Sequence, residues 1–289
     1  MKEIRIGISG WTYVPWRGDF FPKGLPQRRE LEFASRQINS IEINGSFYAL
    51  QKPASYEKWY QTTPDDFVFS VKANRYITHV QRLKEVEGPL ANFFASGVLR
   101  LEEKLGPFLW QFPPSFTFDP GKIANFFKLL PRDTEAASDL AGHHAAFLNG
   151  KASMAPGTHR PLRHAMEVRH KSFACPEFID LLRQHDVALV IADTAGKWPF
   201  MEDVTSDFVY IRLHGDKKLY ESGYTNSARE AWATKIERWR EGGNPRDAKR
   251  ITSPAPVREG GRDVFVYFDN DAKVRAPYDA QALRERVGK

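Results

Sequence analysis

The segment Phe208-Val209-Tyr210-Ile211-Arg212-Leu213-His214-Gly215 is a nearly continuous apolar run that carries ionisable residues at its carboxyl end. Such runs are typical of parallel strands that are covered on both faces. Seven further apolar runs also end on a polar, aromatic or ionisable residue, and an amphipathic stretch usually follows. These runs are Ile4–Gly10, Ile38–Asn44, Phe67–Asn74, Phe108–Phe112, Arg163–Arg169, Ala188–Asp193 and Asp263–Asn270.

The alternation of strand and helix, about eight times along the chain, predicts a parallel sheet. We predict an α/β fold, a single TIM-like (β/α)8 barrel with irregular or missing helices in places. An open doubly wound sheet fits less well. The first turn, Gly7-Ile8-Ser9-Gly10-Trp11, lacks a G-x-G-x-x-G motif and leads into an aromatic loop. In a barrel the carboxyl ends of the strands meet on one face, so their terminal residues would form one site.

Helical spacing of apolar residues predicts the outer helices. They span Arg29–Ile38, Ala54–Thr62, Leu90–Leu105, Ile123–Leu130, Glu177–His185, Ser227–Glu241 and Tyr278–Val287. The 289 residues accommodate one barrel of about 250 residues plus insertions. We therefore predict one domain over residues 1–289, with insertions at about residues 132–161 and 242–261. The first insertion contains a predicted helix over Thr134–Leu148, and the second is rich in Gly, Pro and Arg.

The sequence has 42 basic and 36 acidic residues, a formal net charge of +6, which mildly favours anionic partners. No dense Lys/Arg block is present, so a small anionic or hydroxylated ligand is favoured over nucleic acid. The single cysteine, Cys175, fits a reducing compartment. The sequence shows neither a secretion signal nor an apolar run long enough to span a membrane. We expect a cytoplasmic protein without a membrane partner; nothing in the sequence specifies its oligomeric state.

The first strand leads into a loop, residues 10–22, that is rich in aromatic residues. Flat rings in such a loop either stack against a ligand or plug one end of the barrel with a small core of their own. Trp11 and Tyr13 are the members of this loop that we expect to face a pocket. Tyr220 and Tyr224, which follow His214, are candidates for a lid or a pocket wall.

Glu42 and Asn44 end the second strand, and alternate residues of a strand share a face, so both should point into the barrel mouth. Burying a carboxylate is costly, so it is expected only where the carboxylate forms an ion pair or serves a functional site. Glu42 is therefore either a catalytic candidate or the partner of a strand-end cation such as Lys72 or Arg212. Lys72 is a candidate for a Schiff base or, as we favour, for pairing with an anion or a carboxylate. His79 in the following loop is a candidate acid or base.

Gln111 and His214 lie near the ends of the fourth and seventh strands, where common retaining glycosidases of this fold carry their two carboxyl groups. Their presence weighs against that class of enzyme. The other strand-end candidates are Glu167, Arg169, Asp193, Arg212, Asp269 and Asn270. Carboxylates with a histidine resemble a divalent-metal site in kind. No H-x-x-x-H or paired-cysteine motif is present, so we assign no metal ligand and favour an ion-pair network around a ligand. The sequence contains no nucleotide-cofactor motif, and a divalent metal stays open as a cofactor.

Seven strings of the sequence resemble the successive signatures of the YecE-like family, also called the domain-of-unknown-function 72 family. They are GWTYVPWRGDFFP, EINGSFY, FSVKANRYITH, LGPFLWQFPPSF, EVRHKSF, YIRLHG and VYFDNDA. The resemblance implies a TIM-like barrel with these strings at the strand ends, and it implies no particular reaction. The candidate site residues that lie inside the strings are Trp11, Tyr13, Glu42, Asn44, Tyr48, Lys72, His79, Gln111, Glu167, Arg169, Arg212, His214, Asp269 and Asn270. Asp193 rests mainly on its position at a strand end.

The leading functional hypothesis is a hydrolase- or lyase-like enzyme that acts by acid/base chemistry on a phosphorylated, glycosidic or nucleotide-like substrate. Glu42 or Glu167 would exchange protons with His214 as partner, and Lys72 and His79 are further catalytic candidates. The predicted ligand-binding residues are Trp11, Tyr13, Asn44, Tyr48, Gln111, Arg169, Asp193, Arg212, Asp269 and Asn270. One alternative is a divalent-metal-assisted phosphodiesterase that processes nucleic acid. The other is a non-catalytic module that binds an anion or a metabolite.

Overall fold

Eight parallel strands close into a barrel in the computed structural model, which describes residues 2–155 and 157–287. The strands follow chain order around the barrel, and β8 closes it by pairing with β1. They are β1 Ile4–Ser9, β2 Ser40–Ile43, β3 Val68–Lys72, β4 Leu105–Gln111, β5 His164–Glu167, β6 Ala188–Asp193, β7 Phe208–Leu213 and β8 Asp263–Phe268. The predicted TIM-like barrel is confirmed. Met1, Pro156, Gly288 and Lys289 belong to the predicted domain, and Pro156 to its first insertion, but they lie outside the described residues.

The helices lie outside the barrel. They are α1 Glu30–Gln37, α2 Gly45–Tyr48, α3 Pro53–Thr62, α4 Glu87–Ala95, α5 Pro120–Leu129, α6 Thr134–Ala141, α7 Pro176–Gln184, α8 Asn226–Arg240 and α9 Arg275–Arg284. Residues 194–207 connect β6 to β7 without a helix, which agrees with the expected irregularity. None of the helices in the described chain has the length and apolar content that crossing a membrane requires.

The predicted helix Leu90–Leu105 is wrong in its second half. Helix α4 ends at Ala95, and Gly97 adopts a φ of +99° that an L-residue rarely reaches. A Cβ atom at Gly97 would lie 2.6 Å from the Cα atom of Pro53 at the start of α3, so the chain turns where two backbones meet. A 3-10 stretch, Val98–Lys104, then runs directly into β4, which therefore begins at Leu105 rather than Phe108.

The first insertion does not form one helix over Thr134–Leu148. Helix α6 ends at Ala141 and packs on α4, and a short 3-10 turn follows at Ala146–Leu148. The second insertion has no regular element and is held by Arg262, whose guanidinium donates to the carbonyl oxygens of Gly242, Gly243 and Pro256. Helix packing thus holds the first insertion, and hydrogen bonds from Arg262 hold the second.

Side chains on alternate strand positions fill the barrel interior. On β7, Phe208 and Tyr210 point inward below Arg212, while Val209 and Ile211 pack against the outer helices. The Tyr210 hydroxyl shares a 2.6 Å hydrogen bond with Ser70 Oγ of β3. This packed interior is typical of TIM barrels, and it leaves the carboxyl ends of the strands as the place for a site.

Candidate functional site

Arg212 lies at the centre of the carboxyl-terminal face and is fully buried. Its guanidinium donates to both carboxylate oxygens of Glu42, with Nη2 at 2.9 Å from Oε1 and Nε at 3.1 Å from Oε2. Nη1 donates to Glu167 Oε2 at 2.7 Å, and Nη2 to Asp269 Oδ2 at 3.0 Å. We call Arg212, Glu42, Glu167, Asp269 and His214 the Arg212 cluster. Its three carboxylates come from β2, β5 and the end of β8, so barrel closure brings them together.

Three members of the Arg212 cluster, Arg212, Glu167 and Asp269, hold each other ionised. Burial acts to lower the pKa of Arg212, but the carboxylates of Glu42, Asp269 and Glu167 raise it well above its usual value. Burial acts to raise the pKa of Glu167, but the guanidinium groups of Arg169 and Arg212 hold it well below its usual range. The pKa of Asp269 is lowered in the same way, because Arg212 and His214 outweigh its burial. Arg212, Glu167 and Asp269 therefore stay charged at neutral pH.

Glu42 is bound from several sides. Ser9 Oγ donates to its Oε1 at 2.9 Å, and the Tyr210 hydroxyl donates to its Oε2 at 2.7 Å, in addition to the two bonds from Arg212. The structure thus shows the ion pair with Arg212 that the sequence allowed. A carboxylate with four such donors has little capacity left to exchange a proton with a substrate.

His214 is also fully buried and lies between the network and two aromatic rings. Its Nε2 is 3.4 Å from Arg212 Nη1. Its Nδ1 is 3.0 Å from Asp269 Oδ2, but the pair is poorly aligned for a hydrogen bond. The rings of Tyr220 and Trp198 stand edge-on to the imidazole, at 5.4 and 6.5 Å between centroids. The imidazole therefore packs between the network and these two rings.

A cavity of about 620 Å³ lies over the Arg212 cluster. Eight of the predicted site residues line it: Tyr13, Asn44, Tyr48, Lys72, His79, Gln111, Arg169 and Asp269. Glu42, Glu167, Arg212 and His214 are not among its lining residues and are buried beneath it. Tyr220 also lines the cavity, as expected for a pocket wall, whereas Tyr224 does not. We call this space the cationic cavity, because Lys72, Arg75 and Arg169 line it.

Lys72 and Arg169 bring positive charge to the cavity without full compensation. Within the described chain, the Lys72 ammonium has no carboxylate at ion-pair distance and lies 4.2 Å from the centroid of the Phe47 ring. Burial, together with the charge of Arg212, lowers its pKa to about 8. Arg169 is held at Nε by Glu167 Oε1, at 2.7 Å, and its guanidinium carbon lies 3.9 Å above the centroid of the Trp198 ring. Its two terminal nitrogens have no hydrogen-bond acceptor among the described residues.

Other groups at the cavity also have shifted pKa values. Burial and the negative charge of Asp269 raise the pKa of Asp271 to about 6. Burial and the charge of Lys72 lower the pKa of His79 to about 4, so its imidazole is neutral at pH 7. Burial and the neighbouring carboxylate of Asp271 raise the pKa of Tyr13, whose hydroxyl donates to the Ser9 carbonyl oxygen at 2.5 Å. Asp271 and Lys72 are thus the two groups at the cavity that titrate on either side of pH 7.

The structure places three predicted residues away from the cavity. Asp193 follows the inward-facing Ala192, so it points outward and accepts a 3.0 Å hydrogen bond from the Tyr224 hydroxyl. Asn270 likewise follows Asp269, and its amide donates to Asp279 of α9 at 2.9 Å. Trp11 comes after Gly10, whose φ of +76° turns the chain. Its ring packs against Trp59, with 5.4 Å between centroids.

Five lining or supporting residues were missed from the sequence: Phe47, Arg75, Trp198, Asp271 and Ala272. Asp271 was detectable, because it lies two positions after Asp269 and continues the inward alternation past the end of β8. Arg75 lies in the sequence string FSVKANRYITH, but it comes after the end of strand β3. Trp198 comes from the connection between β6 and β7, where no periodic pattern indicates which side chain returns to the site.

The hypothesis of a metal-assisted phosphodiesterase requires a set of metal ligands. No group of three or more His, Cys, Asp or Glu side chains in residues 2–155 and 157–287 is arranged to hold a metal ion. The carboxylates of Glu42, Glu167 and Asp269 that such a site would use are bonded to the Arg212 guanidinium instead.

A larger cavity, about 760 Å³, lies at the opposite end of the barrel. Arg163 lines it and pairs with Asp207 and Asp263 at 2.9 and 2.7 Å, so its most prominent charges compensate each other. Because TIM-barrel sites form at the carboxyl ends of the strands, the smaller cationic cavity is the better candidate.

Comparison with known proteins gives a consistent picture of the sequence and fold. Residues 5–289 match the family described as "Protein of unknown function DUF72". UPF0759 protein YunF of Bacillus subtilis (strain 168) is 32% identical over 129 residues, which are 42% of this chain and 44% of that protein. UPF0759 protein YecE of Escherichia coli (strain K12) is 30% identical over 127 residues, 44% of this chain and 43% of that protein. The chain thus matches less than half the length of these relatives.

Two solved structures share the fold over nearly their whole length. A DUF72 family protein of Thermotoga maritima MSB8 superposes with a TM-score of 0.73 at 21% identity, covering 98% of each chain. A DUF72 family protein of Enterococcus faecalis V583 gives a TM-score of 0.70 at 16% identity, covering 99% of this chain and 96% of that one. At these identities the likeness shows the fold alone.

Proposed function

Because the chain belongs to the DUF72 family, whose description names no reaction, we propose a function from the cavity itself: it binds a small phosphorylated substrate and acts on it by acid/base chemistry. The observation that carries this proposal is the placement of charge. The Lys72 ammonium and the terminal nitrogens of Arg169 line the cavity, while the carboxylates below them are bonded to Arg212.

A bound phosphate would complete this arrangement. A largely buried cation without a counter-charge is unfavourable, and an anion in the cavity would compensate it. The planar guanidinium of Arg169 is fixed by Glu167 on one edge and by the Trp198 ring on one face, so its free edge is pre-oriented. Such an edge matches phosphate oxygens bidentately, and Lys72 adds a point charge. Arg75, exposed at the cavity wall, adds a third positive charge.

Asp271 and Lys72 are the groups we assign to proton transfer. At pH 7 Asp271 is mostly ionised and Lys72 mostly protonated, and both pKa values lie within about a unit of neutrality, which suits a base and an acid. In a hydrolytic step, the Asp271 carboxylate takes a proton from the attacking water. The Lys72 ammonium gives a proton to the leaving oxygen as its bond to phosphorus breaks. Glu42, Glu167 and His214 then act as positioning residues, because they hold Arg212 and Arg169 from beneath the cavity.

The test combines binding and turnover on the purified chain. We expect inorganic phosphate to raise the melting temperature of the wild type, and a panel of phosphomonoesters to contain a substrate that is hydrolysed. Lys72→Met and Arg169→Gln should each weaken phosphate binding at least about tenfold, the effect of losing one charge-assisted contact. Lys58→Met and Arg28→Gln remove exposed cations elsewhere and serve as matched controls.

The outcomes separate the three hypotheses. Equal phosphate affinity in the two site variants and the two controls would contradict the proposal. Phosphate binding that depends on Lys72 and Arg169, without turnover of any compound, would favour the non-catalytic binding module. Turnover of nucleic acid that requires added Mn²⁺, Zn²⁺ or Mg²⁺ would favour the metal-assisted phosphodiesterase.

A further inference from the structure

A second cavity, about 590 Å³, adjoins the cationic cavity, and Tyr48 lines both. We call it the aromatic groove, after the three aromatic side chains that line it, Tyr48, Tyr76 and Phe147. Their exposed fractions are 72%, 47% and 62%. In the described part of the chain, Tyr278 is the only other aromatic residue classed as exposed. Exposed rings are thus concentrated around one groove.

The three rings come from separate parts of the chain. Tyr48 ends α2, Tyr76 begins the π-helical turn Tyr76–Val80, and Phe147 belongs to the 3-10 turn of the first insertion. The insertion reaches the groove because α6 packs on α4. Leaving several large rings exposed side by side is unfavourable for folding alone, and such patches typically mark a binding surface.

Each of the three amide side chains that line the groove makes a hydrogen bond within the protein, and Asn92 Oδ1 accepts from the Ala145 backbone N–H at 2.8 Å. Asn74 donates to the Ser46 carbonyl oxygen at 3.0 Å and accepts from the Tyr76 backbone N–H at 2.9 Å. Gln81 Nε2 donates to the Tyr76 hydroxyl at 2.9 Å. A polyhydroxylated chain needs many free hydrogen-bonding groups, whereas a planar ring needs flat apolar faces. The groove offers mainly flat apolar faces.

We propose that the aromatic groove holds the planar ring of the ligand whose phosphate occupies the cationic cavity. The ligand class is then a phosphorylated compound that carries a heteroaromatic ring, of about the size of a nucleoside monophosphate. This inference rests on the proposed function and narrows it, because the phosphate and the ring would lie on either side of Tyr48. It also gives the first insertion a role, since that insertion supplies Phe147.

Isothermal titration with two probes tests the inference. Ribose 5-phosphate and adenosine 5′-monophosphate share a phosphate and a sugar, and only the second carries a ring system. We expect the wild type to bind adenosine 5′-monophosphate about tenfold more tightly, which is within the usual contribution of one base stacking on an aromatic side chain. Phe147→Ala should remove most of this difference and leave ribose 5-phosphate binding unchanged. Tyr278→Ala, which removes an exposed ring elsewhere, should change neither affinity.

The results distinguish this inference from the proposed function. Equal affinities of the two probes in the wild type, or a full tenfold difference retained in Phe147→Ala, would overturn the ring assignment and leave the phosphate site standing. Binding of adenosine 5′-monophosphate that depends on Phe147 but not on Lys72 would support the ring assignment and overturn the phosphate site. Binding of neither probe would overturn both.

Discussion

At the scale of single residues, Glu42 shows what a buried charge demands of its surroundings. It is fully buried and accepts hydrogen bonds from Ser9, Tyr210 and Arg212. Replacing Glu42 with Gln keeps the shape but leaves the Arg212 guanidinium short of one carboxylate. Breaking one partner of a buried ion pair typically costs about 3–5 kcal/mol. We therefore expect Glu42→Gln to lower the free energy of unfolding in urea by about 3 kcal/mol or more.

The control for this change is Glu57→Gln. Glu57 pairs with Arg100 at 3.5 Å on the surface, where an ion pair contributes at most about 1 kcal/mol. A loss below about 1 kcal/mol in both variants would show that the Arg212 cluster does not stabilise the fold through its charges.

His164 makes stability depend on pH, away from the site. It is fully buried at the start of β5, accepts from Trp110 Nε1 at 3.1 Å, and shares a 2.7 Å hydrogen bond with the Pro131 carbonyl oxygen. Burial, with the nearby charge of Arg132, lowers its pKa to about 3. Below about pH 6.5 the imidazole of His164 binds a proton in the unfolded chain but stays neutral in the folded protein. The stabilising contribution is thus complete above about pH 6.5 and is lost as the pH falls toward 3.

The measurement is the slope of unfolding free energy against pH. Between pH 5.5 and 4.5, the wild type should lose about 1.4 kcal/mol more than His164→Asn, because the variant has no proton to bind at this position. The variant will be less stable at every pH, so only the difference in slope is informative. Parallel curves would contradict the assignment of a suppressed pKa.

At the scale of elements, strand alternation explains both what the sequence predicted and where prediction failed. Glu42 and Asn44, and likewise Arg212 and His214, share a face, and the structure places all four on the barrel's inner side. The same rule, followed along β6 and β8, turns Asp193 and Asn270 outward. The prediction took every polar residue at a strand end, and it therefore included residues whose side chains face outward from the barrel. Trp198 could not be found in this way, because long-range packing of an irregular connection returns it to the site.

Helix ends depend on tertiary contacts that a local pattern does not contain. The apolar spacing of Leu90–Leu105 continues through Gly97, yet the helix stops because Gly97 lies against Pro53 of α3 with a φ of +99°. We expect Gly97→Ala to destabilise the fold by about 2 kcal/mol or more, through a left-handed backbone and a 2.6 Å clash. Urea denaturation measures this loss.

The matched control lies in the same region. Gly88 is in the first turn of α4, and a Cβ atom there would meet nothing within 4 Å. Gly88→Ala should therefore change stability by less than about 1 kcal/mol, because the helix propensity of alanine is offset by the restriction on a residue that precedes a proline, here Pro89. If both variants shift stability equally, the backbone at Gly97 is not the cause of the helix end.

At the scale of the whole molecule, barrel closure is what makes a set of distant charges act together. Lys72 ends β3, Arg169 follows β5 and Asp271 follows β8, and all three line the cationic cavity. No local segment contains this arrangement, so the sequence predicted the place of the site better than its chemistry. The electrostatic potential of the cavity should change with pH in two steps, as Asp271 ionises and as Lys72 loses its proton.

Sulfate is a suitable probe of these steps, because it does not titrate between pH 5 and 9. Asp271, with a pKa of about 6, becomes negative as the pH rises and should weaken sulfate binding. Lys72, with a pKa of about 8, then becomes neutral and should weaken it again. At contact distances near a protein surface, each change of one charge should alter the affinity about fivefold or more. Isothermal titration of sulfate from pH 5 to 9 should show both steps in the wild type, with Asp271→Asn removing the lower step and Lys72→Met the upper one. An affinity that stays constant over this range, or an Asp271→Asn protein that keeps both steps, would show that these two groups do not set the charge of the cavity.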